Sequence, residues 1–269
     1  MSRELGIVED TLYVPMLGRI YASENCRNIL YDEKALELKS KLPKGLIEND
    51  TQTQYTYLAS AVRSANMDRY IRDFLKRKPD GIIVQLGCGL ETTYYRNDNG
   101  RTKWYGIDLP NVIEYRRNLL PEGECEEYIA GDAFQKEWIE QIRSAYPDTP
   151  LLVTASGLFY YFEEDKVLAL IRMLQNYGDV ELLFDTVNKS GMMMMRKKHM
   201  KTVGHEDAQM FFYVDSAARL ASGIGGTVKV LAEENFYNHT DKVGLQFSTK
   251  FSMVVSDWFS MVKMIHLCL

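Results

Sequence analysis

The sequence predicts a doubly wound α/β fold, and three observations carry that prediction. Short apolar runs recur at Ile82 to Leu86, Lys103 to Ile107, Glu127 to Ala130, Leu151 to Thr154 and Val180 to Phe184. Helix-like stretches lie between the later ones, around Val112 to Leu119, Gln135 to Ala145 and Lys166 to Asn176. Runs of this kind suit strands covered on both faces, and their alternation with helices is the pattern of a parallel sheet. The third observation is Gly87-Cys88-Gly89, directly after the first run. A Gly-x-Gly turn there lets backbone approach a ligand where any Cβ would collide.

Taken in order, Asp32 to Leu38 reads as a short helix. Thr53 to Leu75 reads as a longer one, because Tyr57, Leu58, Ala61, Ile71, Phe74 and Leu75 recur near helical spacing. Lys76-Arg77-Lys78-Pro79-Asp80-Gly81 ends it, with basic residues in the last turn and Pro and Gly beyond. The five strand candidates follow. After Asp185 a helical or irregular insert runs from Met192 to Leu220, and two late strands are expected at Val228 to Leu231 and Leu245 to Val255, paired as an antiparallel hairpin at the sheet edge. The division expected is a single domain over 1–269: a helical cap at 1–80, a ligand-binding core at 81–187, an insert at 188–226 and C-terminal strands at 227–269.

Composition narrows the function classes. The 269 residues are 46% hydrophobic and 26% charged, which is ordinary for a globular chain with a sizeable core. Formal net charge is −5 and no long Lys/Arg run occurs, so neither nucleic acid nor an anionic membrane is an expected partner. The four cysteines, Cys26, Cys88, Cys125 and Cys268, are scattered without metal-binding spacing. Free thiols in a reducing compartment and no structural metal are expected. Acidic residues stand where a signal peptide would need an apolar core, and no apolar run is long enough to span a bilayer, so the reading is cytoplasmic.

The chemistry concentrates after the first two strands. Asp108 ends the second strand 19 residues after Gly89, where a doubly wound sheet holds a ribose through its hydroxyls. Its alternative is a turn residue before Pro110. A nicotinamide site wants a third small residue in G-x-G-x-x-G/A, and here that position is Thr92. Glu91 beside the turn would also repel a pyrophosphate, so a ligand without phosphate is favoured, and S-adenosylmethionine is one. Gly131-Asp132-Ala133-Phe134 follows the third strand. Asp132 is there either an adenine acceptor or the N-cap of the helix beginning near Gln135.

These residues together resemble the leucine carboxyl methyltransferase family, in particular its bacterial branch of O-methyltransferases acting on polyketide-type small molecules. The resemblance rests on Thr11 to Arg19, Arg63 to Asp68, Leu86 to Arg96, Ile107-Asp108-Leu109-Pro110, Gly131-Asp132 and Ala155 to Tyr161, in the expected order over most of the chain. It implies a seven-stranded, Rossmann-like, doubly wound methyltransferase sheet with an N-terminal helical cap and an insert after the fifth strand. It also implies S-adenosylmethionine as cofactor, with Arg63 on the methionine carboxylate, Gly87 and Gly89 in the backbone cradle, Asp108 on the ribose, and Asp132 with Ala133 beside the adenine. A planar guanidinium fork matches a carboxylate, which suits Arg63 to that role. The family often carries Glu where this chain has Ser156, so contact with the cofactor's amino group at Ser156 rests on backbone carbonyls rather than on the side chain.

The implied activity is in-line methyl transfer to a small-molecule carboxylate or phenol. A carboxylate needs no general base, whereas a phenol gains from one. His199, His205, His239 and His266 are the candidates by type, and His205 in the insert is the preferred one. Tyr161 is expected to orient the acceptor oxygen, with packing beneath the next helix as its alternative, leaving Tyr160 exposed. Met192 to Met195 with Phe211-Phe212-Tyr213 make either an adaptable apolar pocket or core. Two further functions stay open: a protein C-terminal carboxyl methyltransferase, and a protein that binds the cofactor without transferring methyl. The sequence leaves the acceptor and the oligomeric state undetermined.

Overall fold

The computed structural model describes residues 6–43, 52–202 and 210–269. Its centre is a seven-stranded sheet in the order β3-β2-β1-β4-β5-β7-β6. The strands are β1 (Ile82–Leu86), β2 (Trp104–Asp108), β3 (Glu126–Ala130), β4 (Leu151–Ala155), β5 (Val180–Val187), β6 (Lys229–Asn235) and β7 (Val262–Cys268). The first five run parallel, and β7 is antiparallel to both β5 and β6. Every residue of β1, β4 and β5 is buried, as expected for strands covered on both faces.

Strand alternation divides the core into two layers. Ile82, Val84 and Leu86 face one side, where they share a cluster with Trp138, Ile139 and Ile142 of α6 (Glu137–Ala145), with α7 (Glu164–Leu174) and with α9 (Ala217–Ile224). Ile83 and Leu152 face the other side, toward Leu58, Ile71 and Phe74 of α3 (Gln54–Arg77). A third cluster joins Tyr13, Met16, Leu17 and Ile20 of α1 (Gly6–Asn25) to Ala35 and Leu38 of α2 (Glu33–Leu38) and to Leu90 beyond the glycine turn. Helix α3 starts because the Thr53 side chain accepts a hydrogen bond from the Thr56 amide, and it ends in Lys76 and Arg77. The remaining helices are α4 (Thr93–Asn97), α5 (Pro110–Leu119), α8 (Lys189–Thr202) and α10 (Phe247–Trp258).

The five parallel strands and the long helix appear where the sequence placed them. One expected strand does not: Leu245 to Val255 is mostly α10, and the antiparallel partner of β5 and β6 is Val262–Cys268. Thr249, Met253 and Ser256 turn inward at helical spacing, which overrides the β-propensity of the valines and phenylalanines around them. Among the described residues, no helix is long and apolar enough to cross a membrane.

Candidate active site

A cavity of about 290 Å³ opens at the carboxyl ends of β1, β2 and β4, where ligands of doubly wound sheets collect. Leu12 and Pro15 of α1 wall it on one side, and Met195 and Met210 contribute from the segments after β5. Arg63, Gly87, Gly89, Asp108, Ser156 and Tyr161 all line it, so six of the nine residues singled out from the sequence share one space.

The glycine turn is shaped by strand β2. The Gly87 and Cys88 amides donate to the Ile107 carbonyl at 2.8 and 3.2 Å, which bends the chain away from the sheet. Gly87 and Gly89 then adopt φ of +62° and +42°. A Cβ would lie 2.8 Å from Leu158 Cδ1 at the first position and 2.9 Å from Leu12 Cδ2 at the second. The left-handed conformation therefore favours glycine at both positions, and a Cβ would in addition push the Leu158 and Leu12 side chains aside.

Asp108 sits at the end of β2 with both oxygens already oriented. Oδ2 accepts from the Gly89 amide and Oδ1 from the Leu109 amide, each at 2.8 Å. Each oxygen keeps a further lone pair for a ligand hydroxyl. Burial pushes the carboxyl pKa up, and the two amides oppose that shift.

Arg63 reaches in from α3. Its Nε donates to Asp185 Oδ2 at 2.7 Å, and the Tyr160 hydroxyl is a second neighbour of the guanidinium. Asp185, 1% exposed near the end of β5, is a site residue that sequence reasoning missed. It accepts three donors: Arg63, the Gly157 amide at 2.7 Å and the Tyr160 hydroxyl at 2.7 Å. Burial alone would lower the Arg63 pKa, but the Asp185 charge outweighs it and holds the guanidinium above its ordinary value. Gly157, at φ +67°, lets this turn pass close to the guanidinium, since a Cβ there would lie 3.2 Å from Nη1. The assembly presents a fixed guanidinium edge to the cavity.

Tyr160 and Tyr161 divide as buried and accessible. Both line the cavity, but Tyr160 is 3% exposed and committed to Asp185, whereas Tyr161 is 38% exposed, with its hydroxyl pKa raised by burial. Tyr160 is thus the packed member of the pair, the reverse of the alternative entertained from sequence.

Glu91 requires a correction. It accepts from Arg19 Nη1 at 2.9 Å, Ser64 Oγ at 3.1 Å, Arg96 Nη2 at 3.1 Å and the Thr92 amide at 2.9 Å. Its charge is neutralised rather than turned on a ligand, so repulsion of a pyrophosphate is not the reason a phosphate-free ligand suits this site. Burial would raise its pKa, but the two arginines hold the carboxyl well below the usual range. Arg96 also binds Asp32 at 2.6 Å and Asp68 at 2.8 Å, and the resulting network ties α1 and α3 to the glycine turn.

Asp132 and Ala133 do not line the cavity. Asp132 Oδ1 accepts from the Phe134 amide at 2.9 Å, closing a local turn, and α6 begins only at Glu137, so Asp132 is not its N-cap. Ala133 is 8% exposed in the core, and its carbonyl takes the Trp138 indole N–H at 3.1 Å. The turn nevertheless adjoins the rim, because the Gly131 amide donates to the Asp108 carbonyl at 2.8 Å. His205 lies outside the described residues. His239 is half exposed, and His266 lies on β7 with Nε2 2.8 Å from Glu181 Oε2; neither lines the cavity. Met192 and Met210 pack with Tyr160 and Val187, Phe212 is core, and Met193 and Met194 are exposed.

Strand order, the reversed seventh strand and the glycine turn facing a β2 carboxylate define a class I methyltransferase fold. Residues 7–175 match the leucine carboxyl methyltransferase family, more than half of the chain, and the chain belongs to that family. The family is one of S-adenosylmethionine-dependent methyltransferases. A relative from Streptomyces glaucescens, the tetracenomycin polyketide synthesis O-methyltransferase TcmP, is 28% identical over 182 residues, which span 67% of this chain and 66% of that protein. Among solved structures, a Streptomyces avermitilis protein of the DUF574 family superimposes with a TM-score of 0.58 at 11% identity, covering 93% of this chain and 96% of that one. The plantazolicin methyltransferase BamL, solved with a desmethyl analogue and S-adenosylhomocysteine, gives 0.51 at 11% identity over 97% and 98%. At such identities these two show the shared fold.

Proposed function

We propose that the protein transfers a methyl group from S-adenosylmethionine to a carboxylate or phenol oxygen of a small molecule. The observation that carries this reading is the placement of Arg63, aimed by Asp185, in one cavity with the Gly87–Gly89 turn and Asp108. A ligand with a carboxylate at one end and a ribose at the other matches that set: Arg63 takes the carboxylate, the glycine turn admits the chain between, and Asp108 accepts the ribose hydroxyls. Asp132 would approach the adenine from the rim, with Ala133 buried behind it, and the Ser156 carbonyl would face the amino group. The donor supplies an electrophilic methyl on a sulfonium.

What remains for the protein is alignment and the exclusion of water. Tyr161, accessible at the cavity, would hold the acceptor oxygen by its hydroxyl. Met195 and Met210 would supply adaptable apolar walls, consistent with a small apolar acceptor and with an acceptor-shaping role for residues 188–226. Should the acceptor be a phenol, His205 is the base of choice by its position in that segment.

The test is a calorimetric titration with S-adenosylhomocysteine and, in parallel, NAD. Saturable binding of the first and none of the second is expected; NAD binding without a response to the other would overturn the reading. Release of S-adenosylhomocysteine from the donor, measured across a panel of aromatic carboxylates and phenols, then separates an enzyme from a binding protein.

A further inference from the structure

Helix α10 carries its amphipathic pattern inside out. A helix on a monomer's surface normally turns its apolar stripe to the core and its polar face to water. Here the inward positions are Thr249, Met253 and Ser256. The outward row is Phe247, Phe251, Val254 and Trp258, at 83%, 61%, 51% and 82% exposure, extended at the helix end by Phe259 at 59%. At these exposures the five side chains present on the order of 600 Å² of apolar surface, taking ~150–250 Å² per aromatic side chain. That is the upper limit for the largest patch of a typical monomer and most of the ~800 Å² that each partner commits to a standard interface.

We infer that the outward face of α10 is a dimer interface, packed antiparallel against α10 of a second copy about a two-fold axis near Ser252. The row is spaced four, three and four residues apart, the same from either end. A two-fold contact requires that if one residue meets another, the second meets the first, and this spacing meets that condition without a shift in register. Antiparallel packing sets Phe247 against Trp258 and Phe251 against Val254, large beside small at the centre. Parallel packing would stack Phe251 on Phe251 and leave the two Val254 side chains facing across a gap. Spacings of four, three and four are a d-a-d-a stretch of a heptad repeat, which suits a helix pair crossing at a shallow angle. A membrane fits the face less well: the outward row carries no cation, and the chain's formal charge of −5 opposes anionic lipid.

Sedimentation equilibrium of the full chain tests this. The wild type is expected to run at twice 31.0 kDa at tens of micromolar, and Phe251→Glu and Val254→Lys each at the monomer mass. Both variants should keep the wild-type circular dichroism spectrum, because both side chains point away from the core. Mixing the two variants should restore a dimer, since Glu at 251 of one copy then meets Lys at 254 of the other. A monomeric wild type would overturn the inference, whether or not it floats with phosphatidylcholine vesicles. A wild-type dimer that survives both substitutions would overturn it too, and a mixture that stays monomeric would overturn the antiparallel arrangement.

Discussion

The replacement Asp185→Asn isolates the buried carboxylate behind the proposed donor site. Asp185 accepts from Arg63, from Gly157 and from Tyr160, each at 2.7 Å, and an amide can serve at most two of these while adding a donor of its own. Removing one charge of a fully buried pair costs about 3–5 kcal/mol. Arg63 keeps 22% of its side chain exposed and can recover some solvation, so the low end, about 3 kcal/mol, is expected here. For a domain of this size that corresponds to a fall in Tm of roughly 6–12 °C. Calorimetry with S-adenosylhomocysteine supplies the second readout: affinity should drop roughly tenfold or more, because the guanidinium loses the partner that aims it. In an Arg63→Ala background the same Asp185→Asn change should leave affinity almost unaltered, since two residues acting through one contact do not add. Additive losses, or unchanged affinity in folded Asp185→Asn, would refute the claim that Asp185 works through Arg63.

Tyr161→Phe should preserve S-adenosylhomocysteine affinity and Tm while slowing turnover of the acceptor; steady-state kinetics showing unaffected turnover, or affinity falling with it, would remove Tyr161 from the acceptor site. Asp108→Asn should weaken S-adenosylhomocysteine binding by about 1–3 kcal/mol, roughly 5- to 150-fold. Because burial raises the Asp108 pKa, wild-type affinity should begin to fall at a pH above the ordinary aspartate range, and the variant should lack that step. Glu91 has the opposite sign: its folded pKa is depressed, so its stabilising contribution is complete above the ordinary glutamate range and disappears as pH falls through and below it. Denaturant titrations of Glu91→Gln against wild type should therefore show a stability gap at neutral pH that narrows in acid.

Much of the fold was legible because it is written locally. The short apolar runs at 82–86, bounded by glycines, and at 151–154 needed no distant partner to read as buried strands, and Asp108 followed from its spacing to Gly89. What escaped was set by tertiary context. Asp185 is one acid near a strand end, and nothing nearby shows that residues 63, 157 and 160 converge on it. Glu91 read as an exposed charge because Arg19, one of the arginines that neutralises it, lies on another helix far upstream in the chain. Helix α10 misled for a related reason: its large residues face outward, so a core-seeking pattern found the wrong period.

The position of β7 constrains the order in which the molecule can assemble. β6 joins the sheet through β7, whose other neighbour is β5, so residues 262–268 complete the sheet from within. During synthesis, β5 leaves the ribosome with one edge bare, all eight of its residues apolar or destined for burial, and β6 emerges before the strand that receives it. An uncovered strand edge is a template for pairing with other chains. The parallel half and its helices can form early, but the β5 edge is covered only when β7 is inserted between β5 and β6, both made before it.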